Sequence, residues 1–214
     1  MADQVVLRFP DPRFRADLST FVGRARSLDE DGAVRLQAVG LTLAAYVGVL
    51  PGRGLMGEGA VIGMRAMPLA EPVDCDAVVS LRSVSDRLAR RGEDEQQRLA
   101  VPPTTVRAGW AALAPPRGGW EPVGTVAAAD LEQAARDGIA EVARGTPDGG
   151  AGGPAVTALR QAVWGRATGT VPPVPAGGAF AAYSLGFLRG GDVQVFAHGR
   201  WTRLTTPAGH VLVR

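Results

Sequence analysis

The residues of this chain that can do chemistry are few and far apart. The stretch LAPPRGGWEPVG, Leu113 to Gly124, sets Arg117 and Trp120 between a proline pair and a glycine pair, in a chain with only four tryptophans. Pro115 and Pro116 stiffen the entry, while Gly118 and Gly119 permit positive φ just before the tryptophan, so the frame fixes where both side chains point. An arginine and an aromatic on a rigid loop can anchor a carboxylate, a phosphate or a partner surface. The same frame suits a connector, with Trp120 folded inward as the plug that docks the following helix and Arg117 solvated, and this is the preferred of the two readings. A second loop, PGRGLMGEG from Pro51 to Gly59, offers Arg53 and Glu58 among four glycines. Such backbone can cradle an anion, although a mobile hairpin tip is the plainer reading.

The other reactive residue types are isolated. His198 and His210, the two histidines, bracket a strand expected over Trp201 to Thr206. That places them roughly 17 Å apart at about 3.4 Å per residue, too far to share one metal within the chain. Without neighbouring cysteines or a carboxylate pair they do not make a zinc site, and each is read as hydrogen-bonding a turn. Cys75, the single cysteine, stands between Asp74 and Asp76. Their charges disfavour a thiolate, so it reads as structural. No serine lies in a G-x-S-x-G elbow, and a chain without lysine cannot carry a G-x-x-x-x-G-K-[ST] phosphate loop. No catalytic residue, metal or cofactor is assigned.

Composition bounds the rest. The 214 residues are 46% apolar, enough for one generous domain or two small ones. Lysine and asparagine are absent, so all 23 basic residues are arginine against 21 acidic residues. A very GC-rich genome accounts for that bias, and a net charge of +2 is too near neutral to signal nucleic acid. One cysteine fits a reducing compartment, and the charged, proline-bearing N-terminus does not read as a signal peptide. The longest apolar run, Val39 to Leu50, is about half a membrane span. The expectation is a cytoplasmic protein without membrane contact.

The elements that must position these residues follow from periodicity. An extended arm, Val5 to Arg15, precedes FVGRARSL and AVRLQAV, which flank DEDG and read as a hairpin. Leu41 to Leu50 and Ala60 to Ala70 read as central strands covered on both faces, completing a sheet of about four strands. A helix is favoured over Ala77 to Arg91, with its first residues open to strand. Another follows in TVAAADLEQAARDGIAEVARG, striped by Leu131, Ala135, Ile139 and Val142 and stopped at Gly145. GTPDGGAGGP, residues 145–154, reads as a linker or loop. Helices over Ala155 to Arg166 and Ala179 to Leu188 then lead into strands at Val193 to Ala197, Trp201 to Thr206 and His210 to Val213.

The fold class expected is α+β: an N-terminal antiparallel sheet with helices (1–144), the glycine-rich segment (145–154), and a helix-helix-meander segment (155–214) docked on the first part. That last order is winged-helix-like, with Arg200 and Arg203 where a wing would touch phosphates. The second helix, AGGAFAAYSLGFLRG, has the composition of a buried helix rather than one that reads base edges. PPRGGW, ALRQAVWGR, PAGGAFAAYSLGFL and RLTTPAGHVLVR resemble phrases of a group of uncharacterised actinobacterial proteins. The resemblance implies a high-GC host and a soluble cytoplasmic protein, and it supplies no site. The function expected is non-catalytic binding of a partner protein or small ligand through Arg117, Trp120, Arg53 and Glu58, with homo-oligomers open. A nucleic-acid binder using Arg200 and Arg203 is the alternative, and an enzyme using Arg117, Arg53, Glu58 or Glu121 comes third.

Overall fold

Asp11 and Pro12 start a helix in the N-terminal arm. After a short strand β1 (Val6–Arg8), the Asp11 carboxylate accepts the Arg13 amide, and Pro12 fills the first turn, where its missing N–H has no role. Helix α1 (Pro12–Leu28) buries Leu18, Phe21, Val22 and Ala25, a stripe at three- and four-residue steps. FVGRARSL is therefore the second half of α1 and not a hairpin arm, and DEDG joins that helix to β2 (Ala33–Val39).

The structure, a computed structural model, describes residues 4–54, 56–90, 92, 96–146 and 153–214. It is α+β, and its contacts divide the chain into two compact units, Met1–Val49 with Met64–Leu113, and Leu50–Gly63 with Ala114–Arg214. In the first unit β2 pairs antiparallel with β3 (Thr42–Leu50) and with β5 (Cys75–Ser80), in the order β5-β2-β3-β4, where β4 is Val61–Pro68. On β3, Leu43, Ala45 and Val47 are buried while their neighbours are half-exposed, so one face is closed and not both. Strand gives way to helix at Ser80, whose hydroxyl accepts the Ser83 amide and opens α2 (Leu81–Leu88). A second, two-stranded sheet joins β1 to β6 (Arg98–Ala100). Arg15 reaches across to the carbonyls of Arg87 and Arg98 at 3.1 and 3.0 Å. Here arginine is a structural donor.

The second unit runs β7 (Glu121–Ala127), α3 (Ala128–Arg144), α4 (Pro154–Gly165), α5 (Ala176–Ser184), β8 (Asp192–His198), β9 (Trp201–Thr206) and β10 (Gly209–Val213). The last three strands form the expected meander, and β7 adds to it antiparallel, giving the order β10-β9-β8-β7. Val193, Val195, Leu204, Val211 and Val213 are buried. Helix α5 closes onto their face because its inner residues are alanines and glycines: a Cβ at Gly178 would lie 3.1 Å from Val213 and 3.2 Å from Leu204. Of the glycine-rich segment, residues 147–152 lie outside the described residues. The contact division does not fall there, because α3 before it and α5 after it pack together in one unit. A strand, a helix and three strands thus occur twice, as β1-α1-β2-β3-β4 and β7-α3-β8-β9-β10, the second time with α4 and α5 inserted. No repeat is visible in the residues.

Trp164 of α4 is the hub of the helical layer, stacked on Phe180 with centroids 4.4 Å apart and seated over Gly138 of α3. On an exposed helix Gly→Ala gains about 1 kcal/mol. A Cβ at Gly138 would instead lie 2.4 Å from Cζ3 of Trp164, so Gly138→Ala is expected to lower stability by about 1–2 kcal/mol through overpacking. Urea denaturation checks it, the shift appearing in the midpoint at constant slope.

Candidate binding site

The β8–β9 hairpin turns through Gly199 and Arg200, which fixes its register as His198↔Trp201 and Phe196↔Arg203. Alternation along each strand then sets Phe196 and His198 beside Arg203 on one sheet face. The register with β10 puts His210 opposite Thr205, and one step beyond Val213↔Thr202 puts Arg214 opposite Trp201.

The loop before β7 delivers Trp120 to this face. Of the two glycines, Gly119 adopts positive φ, +73°. The indole Nε1 donates to the Pro116 carbonyl at 3.0 Å, and His198 Nδ1 donates to the Gly119 carbonyl at 2.8 Å. Trp120 meets His198 edge-on, with centroids 5.9 Å apart at 61°. It is half-buried and packs against His198 and Arg203 of the hairpin, so the plug reading is corrected in its target: strands rather than the following helix.

Arg203 is the centre of the arrangement. Its guanidinium carbon lies 4.6 Å from the Trp120 ring centroid and 4.4 Å from that of Phe196, two cation–π contacts on one cation. Its Nε is enclosed without a hydrogen-bond partner, and the side chain makes no ion pair among the described residues. Burial lowers its pKa from the ordinary arginine value, yet a guanidinium stays charged at any ordinary pH. Arg214 repeats the motif more loosely, 5.3 Å from the Trp201 centroid, with its Nε also enclosed and unpartnered.

His210 answers to the same charge. Burial first, and Arg203 second, pull its pKa below the ordinary 6.5, and its Nδ1 lies 3.0 Å from the Thr205 hydroxyl. A histidine whose folded pKa is depressed takes up protons more readily unfolded, so stability is intact above the ordinary value and falls as pH drops through it toward the folded pKa. Melting temperature is therefore expected to fall as pH drops below about 6.5 more steeply in the native chain than in His210→Gln. Parallel melting curves for the two against pH are the check, and equal slopes would remove His210 from the account.

The other sequence candidates are placed differently. Arg117 is exposed on the loop, and Glu121 is exposed just after Trp120. Arg53 and Glu58 close a small turn by exchanging backbone hydrogen bonds of 2.8 and 3.0 Å. The Glu58 carboxylate lies 3.3 Å from Arg200. The winged-helix alternative gains no support from α5, since six of its nine residues are buried; Arg200 pairs with Glu58, and Arg203 lies against two rings. Cys75 sits half-buried on β5, where burial and then Asp76 push its thiol pKa up. No three His, Cys, Asp or Glu residues gather to hold a metal among the described residues, and no helix there is long and apolar enough to cross a membrane. Phe196 went unnoticed in the sequence, although a two-residue turn at Gly199 and Arg200 was enough to pair it with Arg203.

Residues 2–112 match the family described as Domain of unknown function (DUF8010), more than half of the chain. The chain belongs to the DUF8010 family. Residues 115–214 of this DUF8010 chain match a second family, Domain of unknown function (DUF8185), which contains Trp120, Phe196, Arg203 and His210. No curated protein matches it. Among solved structures it is similar to a DNA polymerase sliding clamp from Pseudomonas aeruginosa, crystallised with a ligand. The TM-score is 0.51 at 13% identity, over 99% of this chain and 63% of the clamp chain. The DUF8010 chain thus spans less than two thirds of that clamp, and at this identity the likeness is one of fold.

Proposed function

We propose that this DUF8010-family protein is a non-catalytic binding protein, which takes a partner protein or small ligand on the face formed by Trp120, Phe196 and Arg203. The observation that carries the reading is Arg203 itself, a cation lying against two rings with its buried Nε unpartnered among the described residues. Folding desolvates such a group without giving it an oxygen, and binding supplies one. The fold neighbour supports the reading only in that it too is described with a ligand. The lone cysteine and the exclusive use of arginine support a reducing cytoplasm and a high-GC, actinobacterial host.

Native mass spectrometry of gently purified protein tests the proposal, with Trp120→Ala as the comparison. The expected result is a retained mass that Trp120→Ala loses while still folding, its stability lowered by about 1–3 kcal/mol for a half-buried aromatic. A retained mass that survives Trp120→Ala would move the site elsewhere.

A further inference from the structure

Resting on that reading, we propose that the group recognised at this face is a carboxylate, entering at the open edge of Arg203 and presented by an acidic segment of a partner protein. Two ring centroids lie 4.6 and 4.4 Å from the guanidinium carbon and its Nε is enclosed, so the guanidinium has its terminal N–H groups left to offer. An in-plane fork of N–H donors matches a planar carboxylate with two parallel hydrogen bonds.

The same chain shows what such an arginine looks like when its partner is internal. Arg35, on β2, donates from Nε to one oxygen of Asp76 at 2.7 Å and from Nη2 to the other at 2.6 Å, while Gln37 adds a third bond to that carboxylate. Arg166 and Arg136 likewise find Glu141 and Glu132. Arg203, packed against two rings, has no such acid among the described residues. Arg214, stacked on Trp201 on the same face by register, is a second such cation. Two fixed guanidinium groups on one strand pair suit two acidic side chains of an extended peptide.

Nucleic acid fits the same surface poorly. Single strands bind through free aromatic faces on which bases stack, and here the Trp120 and Phe196 rings already face Arg203. Arg200, in the hairpin turn, already lies 3.3 Å from the Glu58 carboxylate.

The test titrates the full chain, at fixed ionic strength, with the capped peptide Ac-Gly-Glu-Glu-Glu-Gly-NH2, its triple-glutamine counterpart, and inorganic phosphate. The Trp120 indole N–H and the Arg203 Nε–H are followed by NMR. Saturable shifts at both resonances are expected with the glutamate peptide, at an affinity at least about tenfold above the glutamine peptide and phosphate. Arg203→Met should abolish them, and Arg200→Ala should leave the affinity within about twofold. Equal binding of the two peptides with loss in Trp120→Ala overturns the carboxylate and leaves the binding face standing. Phosphate binding as tightly as the acid peptide overturns the acidic partner. Binding of neither peptide overturns the proposal, and if no Trp120-dependent mass is retained either, the binding face falls with it.

Discussion

Trp164→Ala is expected to lower the stability of the protein by about 3–5 kcal/mol. The indole is 7% exposed and lies in a cluster with Val163 and Ala176, against which Leu50, Val142, Leu159 and Phe180 pack. Removing it vacates the seat on α3, strands the face of Phe180, and leaves a cavity that two helices cannot close without moving. Gly138 provides the internal control. In the native background Gly138→Ala forces a Cβ into the indole ring, whereas in the Trp164→Ala background the same methyl enters the vacated space. The two losses should therefore be non-additive, with a coupling of about 1–2 kcal/mol. A double-mutant cycle by urea denaturation measures it directly. Additive losses would mean that Trp164 and Gly138 do not contact each other in solution.

That pair also explains where periodicity misled. The stripe expected on α3 ran through Ile139, yet Ile139 is 38% exposed and the buried line passes through Leu131, Ala135 and Gly138. Apolarity marks a helix face well when side chains fill the interface, and badly when a glycine is buried because a partner ring fills it instead. The N-terminal error has a different origin. Leu18, Phe21, Val22, Ala25 and Leu28 carry helical spacing, but Pro12, inside the stretch that reads as an extended arm, begins a helix, and the turn residues of DEDG serve a helix end as well as a hairpin. Strand β7 went unseen because EPVGTVA contains a proline and a glycine. Both sit at an irregularity between Pro122 and Gly124, on an outermost strand where a missing ladder N–H is tolerated. The C-terminal meander was legible to within a residue or so, since its short apolar runs are separated by turns at Gly199 and Arg200 and at Pro207 and Ala208.

The candidate face was legible in parts only. Arg117 and Trp120 stood out because prolines and glycines frame them, but the frame does not say what the tryptophan meets. That depends on the hairpin register, some eighty residues on, where Gly199 and Arg200 decide that Phe196 and Arg203 share a face. Arg203 carried a phosphate role by its neighbourhood to Arg200. The two differ only in that Arg200 lies in the turn, free to reach Glu58, while Arg203 lies in the strand, where its stem is fixed under two rings.

This fixity makes Arg203→Met the sharpest separation of structure from function. If Arg203 served stability, its loss would resemble the breaking of a buried ion pair, at about 3–5 kcal/mol. But no acid is left behind when Arg203 goes, because none is paired with it among the described residues. Methionine keeps an unbranched stem of similar length and places a polarizable sulfur between the same rings, which offsets much of the lost cation–π attraction. It also removes a cation whose charge burial opposes, and with it the repulsion that depresses His210. Stability should therefore stay within about 1 kcal/mol of the native chain, and the melting curve against pH should flatten below about pH 6.5 as His210 regains part of its basicity. Binding should move the other way. A central arginine flanked by aromatics is a typical hot spot, worth about 2 kcal/mol or more, roughly thirtyfold in affinity. A variant as stable as its parent that has lost its ligand would mark Arg203 as a group kept for recognition. One that unfolds in mild urea would return it to the core.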